Sequence, residues 1–215
     1  MLPDLLVKSF HVSCKIQKND EVQALKRMFS DKNVLLSIGL PHDDCDYIDQ
    51  GALESISCKV LSMSFFQNLV DAGLVSDTGY IRGCYDEEVD GILVQDELRL
   101  MCAKDNEGEY KLPSRDRREF IFHLLKLLSI GGAKCQCEDK FQVLNDTIKL
   151  IYKELVQVRK DSSDQPKICS SIYEITLGDN SSLLFPHPNN IHNKFYVIMS
   201  EFKVTLLIKK FIPFW

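Results

Sequence analysis

The sequence predicts an α+β fold: a single compact domain in which central helices pack against an antiparallel sheet formed late in the chain. Three observations carry this. Two segments between residues 116 and 160 repeat apolar residues at helical spacing, and after residue 166 the period drops to two. Helices therefore precede strands as blocks rather than alternating with them, which is the α+β pattern. Finally, 215 residues suffice for one core without staples, since a domain of this size buries roughly 70% of the surface its unfolded chain exposes. The 45% apolar and 27% charged fractions exclude a disordered chain, a collagen and a coiled-coil rod. A net charge of −5 argues against sequence-independent nucleic-acid binding, which depends on basic surface. No apolar run reaches the roughly 18 residues of a membrane span, so no stable membrane insertion is expected.

Taken in order, residues 5–10 are too short and interrupted for a secretory core, and Met1 to Asp4 carry no basic charge. Val22, Leu25, Met28 and Phe29 share one helical face. Residues 35–40 form an apolar run closed by Pro41 and read as a strand. Residues 42–51 are acidic and turn-rich and read as an exposed loop. Met63, Phe66 and Val70, with Phe65 and Leu69 beside them, predict a helix stopped by Gly73. Asp77-Thr78-Gly79 is a turn between Leu74-Val75 and Tyr80-Ile81. A short helix is expected over 95–102, broken by the charged stretch 104–113.

The helical pair is the clearest part. Asp116 with Glu119 has capping-box spacing and leads into Phe120, Ile121, Leu124, Leu125, Leu127, Leu128 and Ile130, with Gly131-Gly132 as the stop. An apolar surface this wide predicts a helix buried on most sides. Leu144, Ile148, Ile151 and Leu155 line one face of the next helix; Asp146, Lys149, Lys153 and Gln157 lie on the other. Arg159 and Lys160 are placed in its last turn, where the helix dipole favours cations. Residues 161–166 read as a linker. Tyr173, Ile175 and Leu177 alternate with Glu174 and Thr176 as a half-buried strand. Residues 178–182 and 186–190 are loops, and 195–199 and 202–208 are further strands, so the apolar tail reads as a terminal strand rather than a membrane-surface segment.

Chemistry is sparse. Neither phosphate-cradling loop is present, and Gly131-Gly132 reads as a helix terminator. No G-x-S-x-G elbow occurs. The eight cysteines, at 14, 45, 58, 84, 102, 135, 137 and 169, are the unusual count, with no C-x-x-C. They are expected to stay reduced and to pack mostly as small hydrophobes. Cys135 and Cys137, with His187 and His192, offer four soft ligands without a zinc-site spacing. Asp43, Asp44, Asp46 and Asp49 lack the glycine and glutamate of a calcium loop. His123, between Phe122 and Leu124, reads as a core or edge histidine with a satisfied ring. Glu87 and Glu88 sit in an acidic run that isolates neither carboxylate. Arg115, Arg117 and Arg118, around Asp116, read as a solvated first turn or, alternatively, a partner contact, since arginine is enriched at interfaces. The cysteine count motivates one alternative function, a zinc-binding or thiol enzyme of the cytosol.

Several blocks in order carry a resemblance: Leu61-Ser62-Met63-Ser64-Phe65-Phe66, Asp96-Glu97-Leu98-Arg99, Asp116-Arg117-Arg118-Glu119-Phe120-Ile121-Phe122, Gly131-Gly132-Ala133-Lys134-Cys135-Gln136, Glu138-Asp139, Thr147 to Val156 and Val158-Arg159-Lys160. Together they resemble the cilia- and flagella-associated protein 300 family. The resemblance is read over 28–201, with a poorly matched segment at 1–27 and a divergent tail at 202–215. It implies a non-enzymatic protein of the cytoplasm and motile cilium or flagellum axoneme. Its implied role is to support assembly or transport of outer and inner axonemal dynein arms. The implied partners are dynein arm assembly factors, axonemal dynein chains or intraflagellar transport machinery. No catalytic, cofactor-binding or metal-ligating residue and no cofactor are implied.

Overall fold

A computed structural model describes residues 4–42, 47–48, 52–104, 112–130 and 138–212. In chain order it comprises β1 (Leu5–His11), α1 (Glu21–Phe29), α2 (Lys32–Ile38), β2 (Ala52–Ile56), α3 (Gln67–Asp71), β3 (Gly83–Val89), β4 (Ile92–Asp96), α4 (Glu97–Lys104) and α5 (Ser114–Arg117). There follow α6 (Phe120–Ser129), α7 (Phe141–Leu155), β5 (Val158–Lys160), β6 (Pro166–Ile168), β7 (Ser171–Thr176), α8 (Ser181–Leu184), β8 (Lys194–Ser200) and β9 (Lys203–Lys209).

The fold is α+β, as predicted. An antiparallel sheet of order β1-β9-β8-β7-β2 is accompanied by two ribbons, β3-β4 and β5-β6. The three late strands form the middle of the sheet. Both edges come from the first 56 residues of the chain, which the sequence reading did not anticipate. β1 pairs along the whole of β9, from Leu5 opposite Lys209 to His11 opposite Lys203.

Helices cover both faces of this sheet. On one, Ile172, Tyr196, Ile198 and Leu207 join the core that contains the buried residues of α6 and α7. On the other, Ile175, Phe195, Val197, Leu206 and Ile208 pack with Leu25 and Phe29 of α1 and Leu35 and Ile38 of α2. In β7 the Tyr173–Ile175–Leu177 face meets the second core, as expected; on the opposite face Ile172 is buried in the first core, Glu174 is partly covered and Thr176 is exposed. Burial on both sides explains the apolar run of β8, Phe195 to Met199, and that of β9, which only Thr205 interrupts.

Several local expectations are corrected. Residues 35–40 are largely helical, in α2. The Asp31 carboxylate accepts the Asn33 N–H at 2.7 Å as an N-cap, and Gly39 closes the helix at φ 85°. Asp31 lies outside the apolar run, and the run alone does not separate strand from short helix. Tyr47 and Ile48, placed in an exposed loop, are only 1% and 6% exposed; the neighbouring 43–46 and 49–51 lie outside the described residues. The acidic stretch around Glu87 is a hairpin, β3-β4. It turns at Asp90-Gly91 with φ 50° and 78°, the geometry for which Asp-Gly is suited.

Asp116 does not cap the long helix. It lies inside α5, the chain bends at Arg118-Glu119, and α6 starts at Phe120. Gly131-Gly132 falls outside the described residues, and α6 itself ends at Ser129. Likewise α7 ends at Leu155, so Arg159 and Lys160 belong to β5 rather than to a helical last turn. Residues 161–165 are the turn of the β5-β6 hairpin and Pro166 opens β6; the Asp161 carboxylate accepts the N–H groups of Ser163 and Gln165 at 2.8 and 3.1 Å. Residues 178–182, read as a loop, form a 3-10 turn that runs into α8.

Candidate interaction cleft

The N-terminal turn of α6 sits on the sheet through Phe120, whose ring meets Tyr196 edge-on at 5.8 Å between centroids. Going one way along the strands, this face is isoleucine. Going the other way it becomes charged. Glu54 of β2 stands opposite Glu174 of β7, and Lys194 of β8 stands opposite Lys209 of β9. Like charges directly opposite one another destabilise a sheet, so each needs compensation. The Lys194 ammonium donates to Glu174 Oε1 at 2.8 Å. Lys209 pairs with Asp4 in the segment before β1, with both side chains less than 5% exposed, at 4% and 3%.

Between this charged end of the sheet and the α5–α6 segment lies a cleft of about 330 Å³. Arg117, Arg118, His123, Lys126 and Leu127 line its helical wall, and Ile191 and His192 close one end. His123 Nδ1 is 3.0 Å from the Tyr196 hydroxyl and 4.0 Å from the Glu174 carboxylate, and its ring packs edge-on against Tyr196. The lining holds five lysines and arginines against two carboxylates, in a chain whose net charge is −5. Two of these cations, Lys194 and Lys209, are already paired with carboxylates, Glu174 and Asp4.

The sequence-derived candidates disperse. Of the arginine cluster, Arg117 and Arg118 line the cleft, whereas Arg115 is exposed and bonds to Asp116. Asp116 also accepts from the Asn68 amide at 2.9 Å. His123 has the satisfied ring expected of it. His187 and His192 both pack their rings against Phe211, at 6.4 and 5.9 Å. Glu87 pairs with Lys104 at 2.7 Å. Cys135, Cys137, Cys45 and the aspartates at 43, 44, 46 and 49 lie outside the described residues. Among the described residues no three His, Cys, Asp or Glu side chains are grouped to hold a metal ion, and no helix is long and apolar enough to cross a membrane.

The expectation that cysteines are mostly core holds unevenly. Cys102 is buried, Cys58 and Cys84 are partly buried, and Cys14 and Cys169 are exposed. Burial pushes the Cys58 thiol up to about 11, and the nearby Glu119 charge adds to this. It lies 3.2 Å from the Tyr152 hydroxyl, which donates to the Val60 carbonyl at 2.9 Å. A thiol held protonated in this way is a poor nucleophile at neutral pH. Burial, then the carboxylates of Glu97, Asp96, Glu87 and Asp86, also raise Cys84.

The sequence reading missed Glu54, Glu174, Lys194 and Lys209 as a group. The available signal was charge within strands: Glu174 between Tyr173 and Ile175, and Lys209 at the end of an apolar run. Only the register of four strands shows that these charges share one face.

Comparison with known proteins identifies the chain. The sequence profile described as cilia- and flagella-associated protein 300 matches residues 1–209. The chain belongs to the cilia- and flagella-associated protein 300 family. The match takes in both β1 and β9. A cilia- and flagella-associated protein 300 from Paramecium tetraurelia is 29% identical over 197 residues, covering 90% of this chain and 76% of the relative. One from Chlamydomonas reinhardtii is 27% identical over 168 residues, covering 74% of this chain and 65% of the relative. No solved structure matches the chain. Membership in the cilia- and flagella-associated protein 300 family associates it with cilia and flagella, and this is not a known enzyme family.

Proposed function

We propose that this protein acts in the cytoplasm and motile cilium by binding rather than catalysis, supporting assembly or transport of outer and inner axonemal dynein arms. The family match over residues 1–209 carries the reading. Its partners are then dynein arm assembly factors, axonemal dynein chains or the intraflagellar transport machinery. The cleft agrees with a binding role, because it sets charged side chains beside apolar ones. Electron microscopy of axoneme cross-sections from cilia lacking the protein tests it. Outer and inner arms should be missing or reduced, and cross-sections with a normal complement of arms would refute the role.

A further inference from the structure

We infer that the protein associates with a second copy of itself, the two α7 helices packing antiparallel through their outward faces. The buried side of α7 is Phe141, Leu144, Ile148 and Tyr152, which join the first core. On the opposite side Val143 and Leu150 stand 46% and 68% exposed. They lie two turns apart on one line along the helix and form a second apolar seam, turned to solvent. Single exposed apolar residues are ordinary on a surface, but two on one heptad line are the pattern of a helix that meets another helix.

Charge selects the occupant. The exposed residues of α7 include Asp146 and Glu154 against Lys149 and Lys153, so this face is neutral. An anionic membrane surface attracts helices whose polar face is basic, and finds none here. A second copy does find a complement. Asp146 and Lys153 flank the seam on the same side, two turns apart, with Leu150 between them along the axis. Antiparallel pairing about a two-fold axis beside Leu150 sets Asp146 of each copy opposite Lys153 of the other, so the symmetry makes the ion pair twice. Leu150 then packs on its own counterpart at the axis, and Val143 extends the seam towards the last turn of the facing helix. Both charged groups are open to this. Asp146 Oδ1 accepts from the Gln142 amide at 2.9 Å within the same helix, and Lys153 is exposed with no acidic partner among the described residues.

Sedimentation equilibrium of the full-length purified protein over a range of concentrations tests this. The protein should pass from monomer to dimer in the micromolar range, because one helix pair buries less surface than a permanent interface does. Leu150→Glu should weaken the dimer by about tenfold or more, since it brings two carboxylates together at the axis. Leu36→Glu, at a leucine 56% exposed on α2, should leave it unchanged. Asp146→Lys and Lys153→Glu should each weaken self-association by about tenfold at low salt, because like charges then face one another. An equimolar mixture of those two variants should form dimers again, as one then carries only positive and the other only negative charge on this flank. Misfolding does not produce such a gain. A protein that stays monomeric at every concentration, a dimer that survives Leu150→Glu, equal loss with Leu36→Glu, or a mixture that does not associate would overturn the inference.

Discussion

Glu119 and Ser57 join two parts of the chain 62 residues apart: the Ser57 hydroxyl donates to Glu119 Oε1 at 2.5 Å. The second carboxylate oxygen accepts the Lys59 N–H at 2.9 Å, and the Phe120 N–H donates to the Ser57 carbonyl at 2.8 Å. Residues 57–59 leave β2, and Glu119 forms the bend from which α6 starts. The arginine wall of the cleft directly precedes that bend. This carboxylate therefore fixes the wall to the edge of the sheet.

Replacing Glu119 by alanine leaves a partly buried hydroxyl and a backbone N–H without their acceptor. A hydrogen bond to a charged group contributes about 1.5–3 kcal/mol, so Glu119→Ala is expected to lower unfolding free energy by about 2 kcal/mol. Urea denaturation should show a lower midpoint at unchanged slope. Glu119→Gln keeps one accepting oxygen and should lose less.

The ion pair of Asp4 with Lys209 is almost fully buried and ties the segment before β1 to the end of β9; the Lys210 N–H also donates to the Asp4 carbonyl at 2.8 Å. Removing one partner of a buried pair strands the other charge. Asp4→Ala should thus destabilise by about 3 kcal/mol, whereas Asp4→Leu combined with Lys209→Met should recover most of it. Urea midpoints of the two variants check this. A double variant no more stable than Asp4→Ala would show that the ionic partners themselves are required.

The parts legible in the sequence were those whose signal is local. The apolar face of α7 through Leu144 and Ile148, the stop at Gly73, and the pairing of β8 with β9 all follow from spacing within one segment. The misread parts depended on residues elsewhere. Glu119 has the sequence spacing of a capping partner for Asp116, yet its carboxylate is taken by Ser57 and Lys59, and α6 starts one residue later. β1 is an edge strand because β9 lies beside it, not because of its own alternation. The cleft was half visible, since Arg117 and Arg118 stood out as a cluster. Its floor was not, because Glu174 on a strand reads as solvent-facing until α6 is known to cover that face. Tyr173 shows the same limit on the other face: its hydroxyl donates to Glu21 of α1 at 2.6 Å, across 152 residues of chain.

Cysteine chemistry supplies the last prediction, and its sign follows from the burial of Cys58. The folded thiol titrates at about 11, against an ordinary value of 9.0. Below pH 9 both folded and unfolded chains hold the proton, and the group's contribution to stability is fully present. Between about pH 9 and 11 the unfolded chain ionises first, the folded chain binds more protons, and stability falls as pH rises. Tyr152, whose hydroxyl is raised above its ordinary 10.0 by the same burial and by Cys58, extends the fall to higher pH. Urea midpoints should therefore be insensitive to these two groups up to about pH 9 and decline above it, and Cys58→Ala should make the decline shallower. The same geometry orders reactivity. With iodoacetamide near neutral pH, peptide mapping should find Cys14 and Cys169 modified first, because they are exposed, and Cys58 and Cys102 protected until the protein unfolds. Modification of Cys58 as fast as Cys14 in the folded protein would contradict the buried, protonated thiol, and with it the argument that sets thiol chemistry aside in favour of binding.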